Sequence, residues 1–148
     1  MLIYGLISIL ITIADQFTKI LVSSTFTINS RHILIPHIIN IVYRKNTGAA
    51  FSILSDHVVM LGLISVIFCI AIIVYCLKKK PSHPLFRTSL SLIFAGALGN
   101  GIDRIFRGFV IDFFETAFMN FPVFNIADIS ITIGAILLIM YVIFYEKD

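Results

Sequence analysis

From Val58 to Leu77 the chain runs for 20 residues without a single charge. A helix that crosses the hydrocarbon core of a bilayer needs roughly 20 consecutive, mostly apolar residues. This run alone restricts the fold to one built across a membrane. Composition agrees: 59% of the 148 residues are hydrophobic and only 13% are charged, where a soluble domain is about a quarter charged. Mean hydropathy is +1.02. Three more stretches are apolar enough to span. Leu2 to Val22 is interrupted only by Asp15, Gln16 and Lys19, Thr88 to Ile102 is uncharged up to Asp103 and Arg104, and Ile129 to Tyr145 extends back to Asn125. The predicted spans cover about residues 2–22, 58–77, 87–106 and 126–145, with outer loops 23–57 and 107–125, in a single domain over 1–148. The expected fold class is an all-α integral membrane bundle of four transmembrane helices. Loop 23–57 adds a small extracytoplasmic β-like element, because its β-branched runs are broken by Pro36 and by an Asn-Thr-Gly turn at 46–48.

A net charge of +3 does not imply a nucleic-acid partner here; in a membrane protein the position of the cations matters more than their sum. Lys78, Lys79 and Lys80 sit beside Pro81 in the shortest loop, with Arg87 beyond. The positive-inside rule makes that loop cytoplasmic. Both termini are then cytoplasmic, with Lys147 in agreement, and the ends of the third and fourth spans nearest to Asp112 and Asp128 face outward. Arg31, Arg44, Lys45 and Arg107 fall on the outer side, so the bias is moderate. The first apolar stretch lacks a basic leader and contains Asp15 and Lys19, so it reads as a retained span rather than a cleaved signal. Cys69 and Cys76 lie within one apolar run and read as buried thiols without metal or redox spacing. The histidines at 32, 37, 57 and 83 form no His-Glu-x-x-His pattern, so a zinc protease has no support. No metal or cofactor is expected.

Ionisable residues inside spans are costly and by default suggest function. At 100° per residue, Ser8, Thr12, Asp15 and Lys19 share a face about 60° wide. Asn100, Asp103 and Arg104 cluster on the third span beside Gly96, Gly99 and Gly101. Asn125, Asp128, Thr132 and Ala135 form a stripe on the fourth. Such stripes should face the bundle interior. Asp15 with Lys19, and Asp103 with Arg104, have a ready structural reading as neutralising pairs. Asn46, Asn100 and Asn125 read most simply as backbone-satisfying side chains, and Gly48, Ala49 and Ala50 as a tight turn.

Asp112 and Asp128 stand apart, sixteen residues from each other with five phenylalanines and no basic residue between them. Placed at the outer ends of adjacent helices, two carboxylates that meet cannot both ionise cheaply. One keeps a proton and the other activates water, as in aspartic proteases. Charge and spacing leave open the other reading, two independent interfacial carboxylates.

The motifs decide between these readings. "DQFTK" at 15–19, "NTGAAFS" at 46–52, "GNGIDR" at 99–104, "VIDFF" at 110–114 and "FNIAD" at 124–128 follow one another in order along almost the whole chain. Together they resemble the bacterial lipoprotein signal peptidase (signal peptidase II) family. The resemblance implies an aspartyl endopeptidase of the bacterial cytoplasmic membrane that removes signal peptides from diacylglyceryl-modified prolipoproteins, without metal or cofactor. It implies Asp112 and Asp128 as the catalytic pair. Asp15, Lys19, Asn46, Gly48, Asn100, Asp103, Arg104, Asn125 and Ala127 carry over as positions that support or line the site. Its partners are prolipoprotein substrates and membrane lipid, not nucleic acid. The apolar segment 113–124 is expected to act as a flap or an interfacial anchor. The alternatives are a small ion- or proton-coupled transporter using Asp15, Lys19 and Asp103 as a relay, and a non-enzymatic assembly factor. A presenilin-type protease lacks its Gly-x-Gly-Asp motif here.

Overall fold

The computed structural model describes residues 2–48 and 57–146. Ala49, Ala50, Phe51 and Ser52 of the "NTGAAFS" motif, and Lys147, lie outside them. Four helices and a three-stranded antiparallel sheet follow one another in chain order. They are α1 (Leu2–Thr25), β1 (Arg31–Ile35), β2 (Ile39–Asn46), α2 (Val58–Lys79), α3 (Pro84–Phe106), β3 (Val110–Thr116) and α4 (Ile126–Phe144). All four helices are long and apolar enough to cross a membrane. At 1.5 Å per residue the shortest, 19-residue α4, spans about 29 Å, the thickness of a bilayer core.

Local chemistry moves the helix ends from their expected positions. α1 reaches Thr25 because Ser23 and Ser24 bond back to the Ile20 and Leu21 carbonyls. α2 carries Lys78 and Lys79 in its last turn, favourable at the negative end of the helix dipole, and stops at Lys80, which is left-handed at φ 45°. α3 starts earlier than expected, with Pro84 in its first turn.

The bundle is polar inside and apolar outside. The buried residues of α1 are Ser8, Thr12, Asp15, Lys19 and Val22. Most of its leucines and isoleucines face outward, where lipid would lie, with Ile7 and Ile11 half-buried. α3 is the central helix and touches each of the other three. Ser8 donates to the Ser91 carbonyl at 3.0 Å, and Ser130 to the Leu92 carbonyl at 2.7 Å. Small residues allow this proximity. A Cβ on Gly96 would lie 2.3 Å from the Ala127 carbonyl oxygen, and one on Gly134 2.9 Å from that of Ser89.

The sheet order is β1-β2-β3. Loop 23–57 supplies β1 and β2, as its β-like pattern indicated. β3 comes from the outer loop 107–125. Asp112 therefore sits on β3, opposite Arg44 on β2, and not on a helix end. Segment 113–124 is likewise folded. Phe113 is buried in a cluster with Val22, Tyr43 and Ile111, and Phe114 and Phe124 exchange backbone hydrogen bonds at 2.8 and 3.0 Å. Only its tip, with Phe118, Met119 and Phe121, is exposed.

Candidate active site

The site lies where α1, α3, α4, β2 and β3 meet. Asp128 is placed by the start of α4. Asn125 is the N-cap, its side chain accepting from the Asp128 N–H at 2.9 Å while its own N–H donates to Asp128 Oδ2 at 3.1 Å. This reciprocal capping box satisfies two orphan donors and holds the Asp128 carboxylate at the positive end of the helix dipole. The other oxygen, Oδ1, accepts from Asn100 Nδ2 at 2.8 Å.

Asp112 is held by β3 and is buried. Its Oδ1 accepts from Asn125 Nδ2 at 2.7 Å and its Oδ2 from Asn46 Nδ2 at 2.9 Å. All four oxygens of the two carboxylates thus accept from amide N–H groups. Asn125 bonds to both, and also donates to Asn100 Oδ1 at 3.1 Å. Among the described residues neither carboxylate is in an ion pair. Burial first, and the charge of Asp128 second, push the Asp112 carboxyl up to about 7, against the pull of its two asparagine hydrogen bonds.

Beneath this layer lies a buried cation. Lys19 Nζ contacts Asp15 Oδ2 at 2.9 Å, Asp103 Oδ2 at 3.0 Å and Asn100 Oδ1 at 3.0 Å, with both carboxylates fully buried. Its three N–H donors have three acceptors. Because lysine only donates, Asn100 must present its oxygen to Lys19 and its NH2 to Asp128. Asp15 also accepts from the Ala127 N–H at 3.0 Å, fixing the first turn of α4 from α1.

The expected Asp103–Arg104 pair does not form. Asp103 pairs instead with Lys19 and with Arg107, one turn along α3, and accepts from the Ile111 N–H at 3.2 Å. Arg104 turns away and donates to the Gly48 carbonyl at 3.1 Å. It lies within Coulombic reach of both Asp128 and Asp112, so the two carboxylates do have a cation nearby, although sequence spacing indicated none. Gly48 is buried, and its N–H donates to Asn46 Oδ1 at 2.9 Å.

Every site residue indicated by the sequence thus joins one hydrogen-bonded network or packs against it. Two members were missed. Gln16 bonds to Asp15, Asp103 and the Gly99 carbonyl, and Arg107 donates to Gln16 Oε1 at 2.8 Å. The Asp103–Arg107 spacing of four residues was the available signal.

The model of the signal peptidase (SPase) II family matches residues 7–144. The chain belongs to the signal peptidase II family. Lipoprotein signal peptidases of Staphylococcus aureus strains JH9 and Newman are each 42% identical to it over 137 residues, covering 91% of this chain and 84% of theirs. Two solved structures described as bacterial membrane enzymes superpose with TM-scores of 0.90 and 0.86 at 39% identity. They cover 98% and 97% of this chain, and 93% and 94% of theirs. As a member of the signal peptidase II family the protein is an aspartic-type membrane peptidase, a hydrolase. Among the described residues no group of three His, Cys, Asp or Glu side chains is arranged to hold a metal ion.

Proposed function

We propose that Asp112 and Asp128 are the catalytic dyad and that the substrates are diacylglyceryl-modified prolipoproteins, cleaved immediately before the lipidated cysteine. The observation that carries this reading is Asn125, which bonds to both carboxylates at once and keeps them in one desolvated cluster. One proton is shared by the pair, and its resting place is Asp112, whose carboxyl is pushed up to about 7. Asp128 accepts a proton from water as that water attacks the scissile carbonyl. The Asp112 proton passes to the carbonyl oxygen, giving a neutral tetrahedral diol. As the C–N bond breaks, the proton held by Asp128 moves to the leaving amine of the cysteine, and the carbonyl re-forms as its hydroxyl proton returns to Asp112.

Supporting groups divide by position. Asn46, Asn100 and Asn125 orient the carboxylates. Lys19 with Asp15 and Asp103 orients Asn100, and Ala127 lets α4 lie close to α1 and α3. Arg104 and Gly48 line the approach. The Arg104 Nε is buried without a partner among the described residues and offers a donor for a substrate carbonyl. The lysine loop 78–80 supports cytoplasmic termini and a site at the outer face of the bacterial inner membrane. A signal helix would enter from lipid, with the exposed tip at Phe118 and Met119 as an interfacial anchor.

The direct test is cleavage of a diacylglyceryl-modified prolipoprotein peptide by purified wild-type protein, Asp112→Asn and Asp128→Asn. Both variants should fold, bind and fail to cleave. Normal turnover by either would remove that residue from the catalytic role.

The transporter reading gains no support. Asp15, Lys19 and Asp103 are fully buried and mutually paired, an arrangement suited to bracing.

A further inference from the structure

At the end of the bundle opposite the aspartates, α2, α3 and α4 leave a cleft of about 240 Å³ between them. Its cationic wall is Lys79 and Lys80. Its aromatic wall is Tyr75, Phe86, Tyr141 and the His83 ring, which lies 5.0 Å from Tyr141 and 4.6 Å from Tyr145 between centroids. One carboxylate, Glu146, also lines it. The loop that lines the cleft is braced at both ends. Lys80 N–H bonds to the Cys76 carbonyl at 3.0 Å, and the Arg87 guanidinium donates to the Pro81 carbonyl while stacking over Tyr4. Arg87 is thus committed to bracing the loop.

Two kinds of polar group at the cleft lack a partner. Among the described residues no carboxylate pairs with Lys78, Lys79 or Lys80. The His83 Nδ1 is buried and has no hydrogen-bond partner. Cations and a buried donor-capable ring in one cleft call for an anion. The apolar surroundings say which kind. The cleft opens at the end of the spans, and the helices that lead to it carry exposed apolar side chains, Val74 and Leu77 on α2 and Met140 and Phe144 on α4. A phosphate seated between Lys79, Lys80 and His83 would sit at the end of helices whose outer surface is apolar.

We propose that this cleft binds the phosphodiester headgroup of an anionic glycerophospholipid, with its acyl chains along α2 and α4. The site is separate from the peptidase centre and does not depend on the assignment of the catalytic pair. The shared chemistry is a phosphate oxyanion, which a free phosphate also offers; the acyl chains distinguish the two sources.

The test is native mass spectrometry of the purified, detergent-solubilised protein titrated with phosphatidylglycerol, and with phosphatidylcholine of the same chain length. Phosphatidylglycerol should bind saturably as one retained molecule, and phosphatidylcholine should not. Lys79→Gln and Lys80→Gln should each weaken retention about fivefold, the factor matching one lysine's attraction to an anionic membrane surface. Lys78→Gln removes the same charge from the same run but does not line the cleft, and should leave retention unchanged. Equal retention of both lipids, or an equal loss in Lys78→Gln, would overturn the proposal and reduce the effect to diffuse charge. Displacement of phosphatidylglycerol by equimolar inorganic phosphate would assign the cleft to free phosphate and also overturn it. The peptidase rate of the three lysine variants in detergent should match wild type, showing that they are folded.

Discussion

Asp112 binds a proton more tightly in the folded protein than in the unfolded chain, its carboxyl rising from 3.8 to about 7. Between those values the folded state holds the extra proton. The contribution of this group to stability is therefore fully present below 3.8 and is lost as pH rises through 7. Asp112→Asn has no such titration. Its melting temperature relative to wild type should climb steadily as pH is raised from about 5 to about 8, read by thermal unfolding in detergent. Cleavage by wild type should decline above about pH 7 as the shared proton is lost. Lys19→Met makes a second expectation at this scale. It leaves Asp15 as a buried charge without a cation, and Asp103 with Arg107 alone, which should cost about 3–5 kcal/mol. Adding Asp15→Asn should recover part of that loss in a denaturation series. The identities of these residues were legible in the sequence because ionisable groups are scarce in apolar spans. Their partners were less so. Asp103 and Arg104 are adjacent, but neighbours on a helix diverge by about 100°, so Asp103 meets Lys19 and Arg107 while Arg104 faces Gly48.

The contact between α3 and α4 carries the site, since Asn100 lies on one helix and Asp128 on the other. Gly96→Ala puts a methyl 2.3 Å from the Ala127 carbonyl oxygen, and Gly134→Ala puts one 2.9 Å from that of Ser89. Backbone cannot yield without the helices separating, so each should cost about 1–3 kcal/mol, and Gly96→Ala, next to the first turn of α4, should also reduce cleavage. Gly5 has nothing within 4 Å of an added Cβ. Gly5→Ala should be neutral or stabilise by up to about 1 kcal/mol, and the comparison of the three by thermal melting isolates the effect of close approach. The helices were readable as elements because bilayer thickness sets a length that hydropathy can match. β3 was not. "VIDFFET" has no clean alternation, and its partner β2 is separated from it by two whole helices, so nothing local announces the pairing. The misplacement of Asp112 on a helix end followed from that.

Across the whole molecule, the lysine loop and the Phe118 tip belong to opposite ends of the bundle. In a background with Cys69 and Cys76 replaced by alanine, a cysteine at Ser82 should react with an impermeant thiol reagent only in inside-out vesicles. One at Asn120 should react only in right-side-out cells. The reverse pattern would invert the proposed orientation. The order of the chain has one more consequence. Lys19 is made early, Asn46 and Asn100 later, Asp112 after them, and Asn125 and Asp128 last. Both proposed catalytic carboxylates come late, on β3 and at the start of α4. The proposed site is complete only once the first turn of α4 has closed against α1, where Asp15 accepts from the Ala127 N–H, so the last helix to be made is the one that finishes it.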